Sequence, residues 1–94
     1  MKHYDFPQWK QTRAYVFIEI LPKVQEIFRD SFYNEKISIS LSLVSGDDLS
    51  VFVAEHDTDG TIANSEVYAF YSSRNITETK DLYNKLVAHV ASLL

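Results

Sequence analysis

The feature that most constrains the fold is a strict alternation of apolar residues and serine from residue 37 to residue 43, with the sequence Ile-Ser-Ile-Ser-Leu-Ser-Leu. Successive side chains of a β-strand point to opposite faces of a sheet, so this pattern predicts a strand with one buried and one solvated face. Such strands are typical of antiparallel sheets that are covered on one side only. We therefore expect an antiparallel sheet with a serine-rich outer face.

Two further strands are predicted downstream of this one. Residues 49–54 and 67–71 are rich in β-branched and aromatic residues, which favour strands. Turn sequences stand between the strands, Ser-Gly-Asp-Asp at 45–48 and Asp-Thr-Asp-Gly at 57–60, and the Asp-Gly pair is a strong hairpin signal. The three strands are therefore predicted to follow one another as an antiparallel meander.

The register of this meander decides which side chains are exposed, because a shift of one residue turns every side chain to the other face. We expect the apolar residues of the first strand to share a face with those of the other two, which requires a five-residue loop or a bulge in the first hairpin. The opposite face then carries Phe52, Val67 and Tyr71 among serine and alanine residues. With a four-residue loop, the first strand would instead align with Phe52 and Val67.

Helices are predicted on both sides of the meander. Apolar residues recur with a period of 3.6 from residue 9 to residue 32, also across Pro22, which predicts one long helix with a kink at the proline. A strand at residues 15–20 is the alternative, because this segment is rich in strand-forming residues. The last helix is predicted to begin at the capping box Asn75-Ile-Thr-Glu78. The fold class is therefore α+β with the order α-β-β-β-α, both helices packing on one face of the sheet.

The length and composition of the chain restrict its organisation. A chain of 94 residues predicts a single domain covering residues 1–94. The sequence contains no Cys, which excludes disulfides, thiolate nucleophiles and cysteine metal sites. Its longest apolar run, at residues 14–21, is interrupted by Glu19 and is too short to span a membrane. We therefore expect a cytoplasmic protein that does not insert into membranes.

Acidic residues are concentrated in the predicted sheet. Between Lys36 and Arg74 there are six acids and no Lys or Arg, whereas the rest of the chain holds nine bases and seven acids. The order of elements resembles that of double-stranded-RNA-binding domains, but the segment 75–85, where those domains carry a basic helix start, holds two lysines and two acids. Nucleic-acid binding requires clustered cations, so no nucleic-acid partner is expected.

The sharpest local motif runs from Glu55 to Glu66 and follows the spacing of a calcium-binding EF-hand loop. Asp57, Asp59 and Glu66 take the third, fifth and twelfth positions of that loop, and Gly60 takes the position of the sharp turn. The motif has Asp where Glu55 stands, however, and an EF-hand requires a helix on each side. A hairpin turn with solvated acids is the preferred interpretation, and calcium binding by Asp57, Asp59 and Glu66 is the alternative.

No catalytic constellation is predicted. The histidines are isolated in the sequence, and no Ser has a His or Asp neighbour in a nucleophile motif, which serine-type catalysis requires. No cofactor is expected. A small enzyme of unknown type, with paired carboxylates such as Glu55 and Glu66 as acid and base, is the second alternative.

The sequence therefore favours a small, acidic, non-enzymatic protein-interaction module. We expect its partner to be a basic protein, as for an inhibitor or immunity-type binder, or a second copy of the chain. Aromatic residues surrounded by polar ones are typical of interfaces, and an acidic surface speeds the encounter with a basic partner. The candidate contact residues are Phe52, Val67, Tyr71, Asp47, Asp48 and Glu55.

Overall fold

The structure is a computed structural model of the chain. It describes residues 7–44 and 48–94. Asp47, one of the candidate contact residues, lies outside the described residues. The elements follow one another in the order α-β-β-β-α, which confirms the predicted α+β class.

The N-terminal helix changes its winding just before the proline. Helix α1 spans Gln8–Tyr15, a π-helical segment spans Val16–Ile20, and helix α2 spans Leu21–Ser31. Pro22 has no backbone N–H to donate to the carbonyl of Ile18, and a proline ring also crowds the preceding turn. A wider π-helical turn is one way in which a helix accommodates such a defect. In place of the kink predicted at Pro22, the helix therefore contains the π-helical segment Val16–Ile20. Residues 15–20 are helical and do not form the alternative strand.

The sheet consists of three antiparallel strands in the order β1-β2-β3. Strand β1 spans Ile37–Val44, β2 spans Asp48–His56 and β3 spans Ile62–Phe70. The spatial order of the strands is also their order along the chain, which confirms the predicted meander.

The register of the sheet is the favoured one. Leu43 lies opposite Leu49, and Leu49 lies opposite Phe70. Because directly opposed residues share a face, the apolar residues of the three strands all point to the same side. The regular pairing of β2 with β3 is interrupted by a shift between Glu55 and His56, next to the second turn.

Both helical parts pack against this apolar side. Helix α3 spans Ile76–Leu93, and it begins where the side chain of Asn75 accepts a hydrogen bond from the N–H of Glu78 at 2.8 Å. Helix α2 lies over β1, α3 lies over β3, and α1 contacts α3. The core between helices and sheet is formed by Val16, Ile20, Val24, Ile37, Ile39, Leu49, Val51, Val53, Tyr68, Phe70, Leu86 and Val90.

Candidate functional site

The side of the sheet that faces away from the helices is called the outer face. In the described part of the chain, the helices pack against the opposite, apolar side of the sheet. The residues of the outer face follow from the strand register: Ser38, Ser40, Ser42, Asp48, Ser50, Phe52, Ala54, His56, Ile62, Ser65, Val67 and Ala69. Tyr71 follows β3 in phase with Val67 and Ala69.

Three predicted contact residues form an apolar patch on the outer face: Phe52, Val67 and Tyr71. Val67 lies directly opposite Phe52 in the register. Val67 is 57% exposed and Tyr71 is 41% exposed, while Phe52 is half-buried. The guanidinium carbon of Arg74 lies 5.3 Å from the centroid of the Tyr71 ring, which is within the range of a cation–π interaction. The register thus pairs Phe52 with Val67 on the outer face, and Tyr71 follows the end of β3 in the same phase.

Charge is scarce on the outer face. Among its described residues, Asp48 carries the only carboxylate. This carboxylate is engaged within the protein, because its Oδ1 accepts a hydrogen bond from the backbone N–H of Ser72 at 2.9 Å. Depletion of charged residues is a property of the buried centres of protein interfaces.

Glu55, by contrast, lies away from the apolar patch. It is opposite Ile37, a core residue, and therefore belongs to the face that the helices cover. Its Oε2 accepts a hydrogen bond from Nδ2 of Asn64 at 3.4 Å. Asp48 is the first residue of β2, and Glu55 is next to its last residue. The structure does not bring the two acids together.

Glu55 instead contributes to an acidic cleft at the end of the sheet. This cleft has a volume of about 850 Å³ and lies between the turn at residues 57–60, the start of β1 and the end of α3. Four carboxylates line it, those of Glu35, Glu55, Asp57 and Asp59, and Lys36 also lines it. Sequence reasoning missed Glu35, because only the folded chain brings it close to the second turn.

The residues of the calcium hypothesis are placed differently. Asp57 and Asp59 lie in the turn between two strands, not between two helices. Glu66 lies on β3, where its Oε2 is 3.8 Å from Nδ1 of His89. Within residues 7–44 and 48–94, no group of three His, Asp or Glu side chains could hold a metal ion. Calcium binding stays a prediction that this geometry does not support.

The carboxylate of Asp59 accepts hydrogen bonds from a residue next to its own turn. Its Oδ1 accepts hydrogen bonds from the hydroxyl of Thr61 at 2.7 Å and from the N–H of Thr61 at 3.0 Å. These bonds lower the pKa of Asp59, the hydroxyl contributing most, because they stabilise the charged form. Asp59 therefore has a structural role in closing the turn.

Sequence reasoning also missed a Ser–His pair on the outer face. Nε2 of His56 lies 2.8 Å from the hydroxyl of Ser38, and Nδ1 lies 3.2 Å from the carbonyl oxygen of Gly60. A carbonyl only accepts, so Nδ1 carries the proton, and in the neutral ring Nε2 accepts from the serine hydroxyl. The hydroxyl of Ser38, the ring of His56 and the carbonyl of Gly60 therefore stand in the order of nucleophile, base and orienting group that is found in hydrolases.

Acyl transfer also requires N–H groups that stabilise an oxyanion. The amides beside this pair donate elsewhere: that of His56 to Lys36 O at 2.7 Å, that of Asp57 to Thr61 O at 2.8 Å, and that of Gly60 to Asp57 O at 3.0 Å. The Ser38–His56 bond therefore serves to fasten the second turn to β1. The enzyme alternative gains no support from it.

Sequence reasoning also missed a cluster of three polar side chains that links the sheet to α3. The hydroxyl of Tyr68 lies 2.8 Å from Nδ1 of His89 and 3.3 Å from Oε2 of Glu66. Burial raises the pKa of Tyr68, and the negative charge of Glu66 raises it further. Tyr68 and His89 are 21 positions apart, so no local sequence pattern reveals their contact.

Comparison of the chain with protein-family models, with curated proteins and with solved structures finds no match. In the ranges that the structure describes, no helix has the length and apolar character needed to cross a membrane. The geometry and charge of the outer face and the acidic cleft are therefore the basis for a functional proposal.

Proposed function

We propose that the chain is a non-enzymatic protein-interaction module that binds a basic protein partner through the outer face of its sheet. The observation that carries this proposal is an exposed apolar patch on a face with one engaged carboxylate. Such a surface is typical of the desolvated centre of an interface. A cytoplasmic location is part of the proposal, and the absence of Cys from the sequence is compatible with a reducing compartment.

The shape of the outer face suits docking. Ser and Ala side chains surround Phe52 and Val67, so a partner can approach the sheet closely without ordering long side chains. Long charged side chains would lose more rotamer entropy on binding than Ser or Ala. Phe52 is half-buried and held between strands, which makes it a pre-ordered anchor. The free energy of binding would come mainly from these apolar contacts.

Charge explains why a basic partner is favoured. The protein has a formal net charge of −4, and four carboxylates line the acidic cleft. His56 belongs to the outer face and also lines the cleft, so the two surfaces are continuous. A partner with an apolar group and neighbouring Lys or Arg residues would contact both. The cleft would then speed the encounter, and the apolar patch would hold the complex.

A pair of synthetic peptides tests this chemistry. The probe is a peptide of alternating Lys and Phe, and the control is a peptide of equal length and charge with Ser in place of Phe. We expect the Lys–Phe peptide to shift the backbone amide resonances of Phe52 and Val67 in ¹H–¹⁵N spectra. The affinity should fall as salt is raised from about 50 to about 500 mM, because screening weakens surface electrostatics.

Two matched variants decide whether the outer face is responsible. Val67→Ser removes an apolar side chain from the patch, and Val87→Ser removes the same side chain from α3, where it is 37% exposed. We expect Val67→Ser to raise the Kd of the Lys–Phe peptide roughly tenfold and Val87→Ser to leave it unchanged. Equal effects of the two variants, or resonance shifts confined to the helices, would refute the proposal.

A further inference from the structure

Strand β1 has an unpaired edge. The N–H of His56 donates to the carbonyl of Lys36 at 2.7 Å, which makes these two residues a hydrogen-bonded pair of the β1–β2 ladder. Since such pairs alternate along antiparallel strands, the backbone groups of Ser38, Ser40 and Ser42 point towards β2. Those of the odd-numbered residues from 37 to 43 point away from the sheet, and no described strand pairs with them.

The two edges of the sheet are protected to different degrees. Strand β3, at the other edge, carries Glu66 with a side chain that is 60% exposed, and its pairing with β2 is irregular between Glu55 and His56. Strand β1, Ile37–Val44, contains no charged residue and no proline, and its ladder has no register shift. Because charges, prolines and bulges are the usual means of blocking an edge, β1 is the edge open to another strand.

Three aromatic side chains, of which two are exposed and Phe28 is half-buried, flank this open edge. Phe28, Phe32 and Tyr33 form an aromatic flank, with ring centroids 5.4 Å apart for the first pair and 5.0 Å for the second. Phe32 is 60% exposed and Tyr33 is 91% exposed. So much exposed aromatic surface at one place is typical of an interaction site.

The position of the aromatic flank follows from the geometry of α2. Asp30 lines a groove between α2 and α3. Phe32, which keeps helical dihedral angles, lies about 200° further around the helix and so on the side away from α3. Because α2 lies over β1 and α3 over β3, this side is above the open edge of β1.

We infer that two copies of this chain pair through β1 and form one continuous antiparallel sheet of six strands. Pairing of β1 with its own copy is antiparallel about a two-fold axis, so the same surface serves both partners. The axis is perpendicular to the sheet and keeps the helices of both copies on one side. Because the pairing is antiparallel, the aromatic flank of each copy, which precedes the start of β1, lies beside the end of the partner's β1.

Charge favours a second copy as the occupant of this edge. Two molecules that each carry a net charge of −4 repel each other over most approaches. Strand β1 and its three aromatic neighbours contain no acid, and the acids next to them, Asp30 and Glu35, are matched in number by Arg29 and Lys36, so this edge carries no local net charge. An edge of Ser and aliphatic residues is also its own complement, since it offers the same donors and acceptors in both directions.

The area of the interface sets the expected affinity. At about 150–250 Å² per aromatic side chain, the exposed fractions of Phe32 and Tyr33 supply about 230–380 Å² per copy. The eight residues of β1, at about 3.3 Å each and a depth of about 10 Å, add roughly 260 Å² per copy. The total for two copies of about 1,000–1,300 Å² is at the lower end for specific complexes. We therefore expect a weak dimer that forms at high protein concentration.

Sedimentation equilibrium between about 5 µM and 1 mM, a range suited to a weak complex, tests the proposal. We expect a monomer–dimer equilibrium, and we expect the amide hydrogens of Ile39 and Leu41 to exchange more slowly as the protein concentration rises, because pairing gives these N–H groups acceptors. A chain that stays monomeric throughout this range would overturn the inference, as would concentration-dependent protection confined to β3.

Variants separate the β1 edge from the outer face. Tyr33→Ser changes a side chain that is 91% exposed, and Leu43→Pro removes an outward N–H at a residue that is 56% exposed, so neither opens a cavity in the core. We expect each to raise the dimer Kd at least about tenfold, while Val67→Ser on the outer face leaves it unchanged. Dimerisation that is lost in Val67→Ser but kept in Tyr33→Ser would overturn the inference and assign self-association to the outer face.

Discussion

The carboxylate of Asp48 accepts a hydrogen bond from the backbone N–H of Ser72, which lies 2.9 Å away and 24 positions later in the sequence. Asp48 is the first residue of β2, and Ser72 follows the end of β3. The bond therefore fixes the segment that leads from the sheet into α3, including Tyr71. Asp48, which the sequence suggests as a partner contact, therefore stabilises the fold.

Replacing Asp48 with Ala is expected to lower the free energy of unfolding by about 1–2 kcal/mol, because a half-buried N–H loses its charged acceptor. Asp48→Asn keeps an acceptor at the same place and should cost less. Both variants change the net charge equally, so a difference between them reports the hydrogen bond. Urea denaturation at neutral pH measures the effect. Equal losses in the two variants would show that charge, and not the hydrogen bond, is responsible.

The N-cap of α3 is a second point of stability. Asn75 accepts a hydrogen bond from the N–H of Glu78 at 2.8 Å, and Asn75→Ala should reduce the free energy of unfolding by about 1 kcal/mol. Asn75→Asp keeps the acceptor and adds a negative charge at the helix N-terminus, so we expect its stability to equal or exceed that of the wild type. The midpoint of urea unfolding distinguishes the variants. An unchanged midpoint in Asn75→Ala would contradict the role of this cap.

The protein is expected to lose stability in alkaline solution. Burial is the main cause of raised pKa values at Tyr15, Tyr68 and Tyr83, so the folded state retains these phenolic protons to a higher pH than the unfolded state, where the pKa is about 10. Their contribution is therefore complete below pH about 10 and is lost as the pH rises through the folded-state values.

Urea denaturation in steps from about pH 8 to pH 11 measures this loss, since the slope of stability against pH reports the difference in bound protons. Tyr68→Phe should be less stable than the wild type near neutral pH, because the hydrogen bonds to His89 and Glu66 are removed. Its decline above pH about 10 should nevertheless be shallower. A decline as steep as that of the wild type would exclude Tyr68 as a source of the alkaline sensitivity.

Calcium is expected not to bind measurably at millimolar concentration. Asp59 is engaged by Thr61, and Glu66 lies beside His89, so the acids of the EF-hand spacing do not converge as that loop requires. Isothermal titration of the wild type with calcium should release no heat of binding. Heat that appears in the wild type and disappears in Asp59→Ala would instead establish the calcium-binding alternative.

The fold could be predicted from the sequence because the patterns that indicate its strands and helices are local. The alternation at residues 37–43 fixes the two faces of β1, and the period of the N-terminal apolar residues identifies a helix on both sides of Pro22. The proline alone does not reveal that the helix widens over Val16–Ile20. The widening depends on how the π-helical segment and α2 pack together against one core, to which they contribute Val16, Ile20 and Val24.

The candidate site could be predicted from the sequence only in part. Phe52, Val67 and Tyr71 could be assigned to one face from alternation and register. The acidic cleft could not, because Glu35 approaches Asp57 and Asp59 only when the second turn folds back towards the start of β1. The predicted meander places β1 at a border of the sheet, but the aromatic flank beside this edge could not be predicted, because its position depends on how α2 packs over β1.

The agreement between strand order and chain order has a consequence for folding. Each ladder of the sheet joins segments that are neighbours along the chain, so little loop entropy is lost when a hairpin closes. Helices α1 and α3 precede and follow the whole sheet, and their contact closes a much longer loop. We expect the hairpins to be largely formed in the transition state and the contact between α1 and α3 to be completed after it.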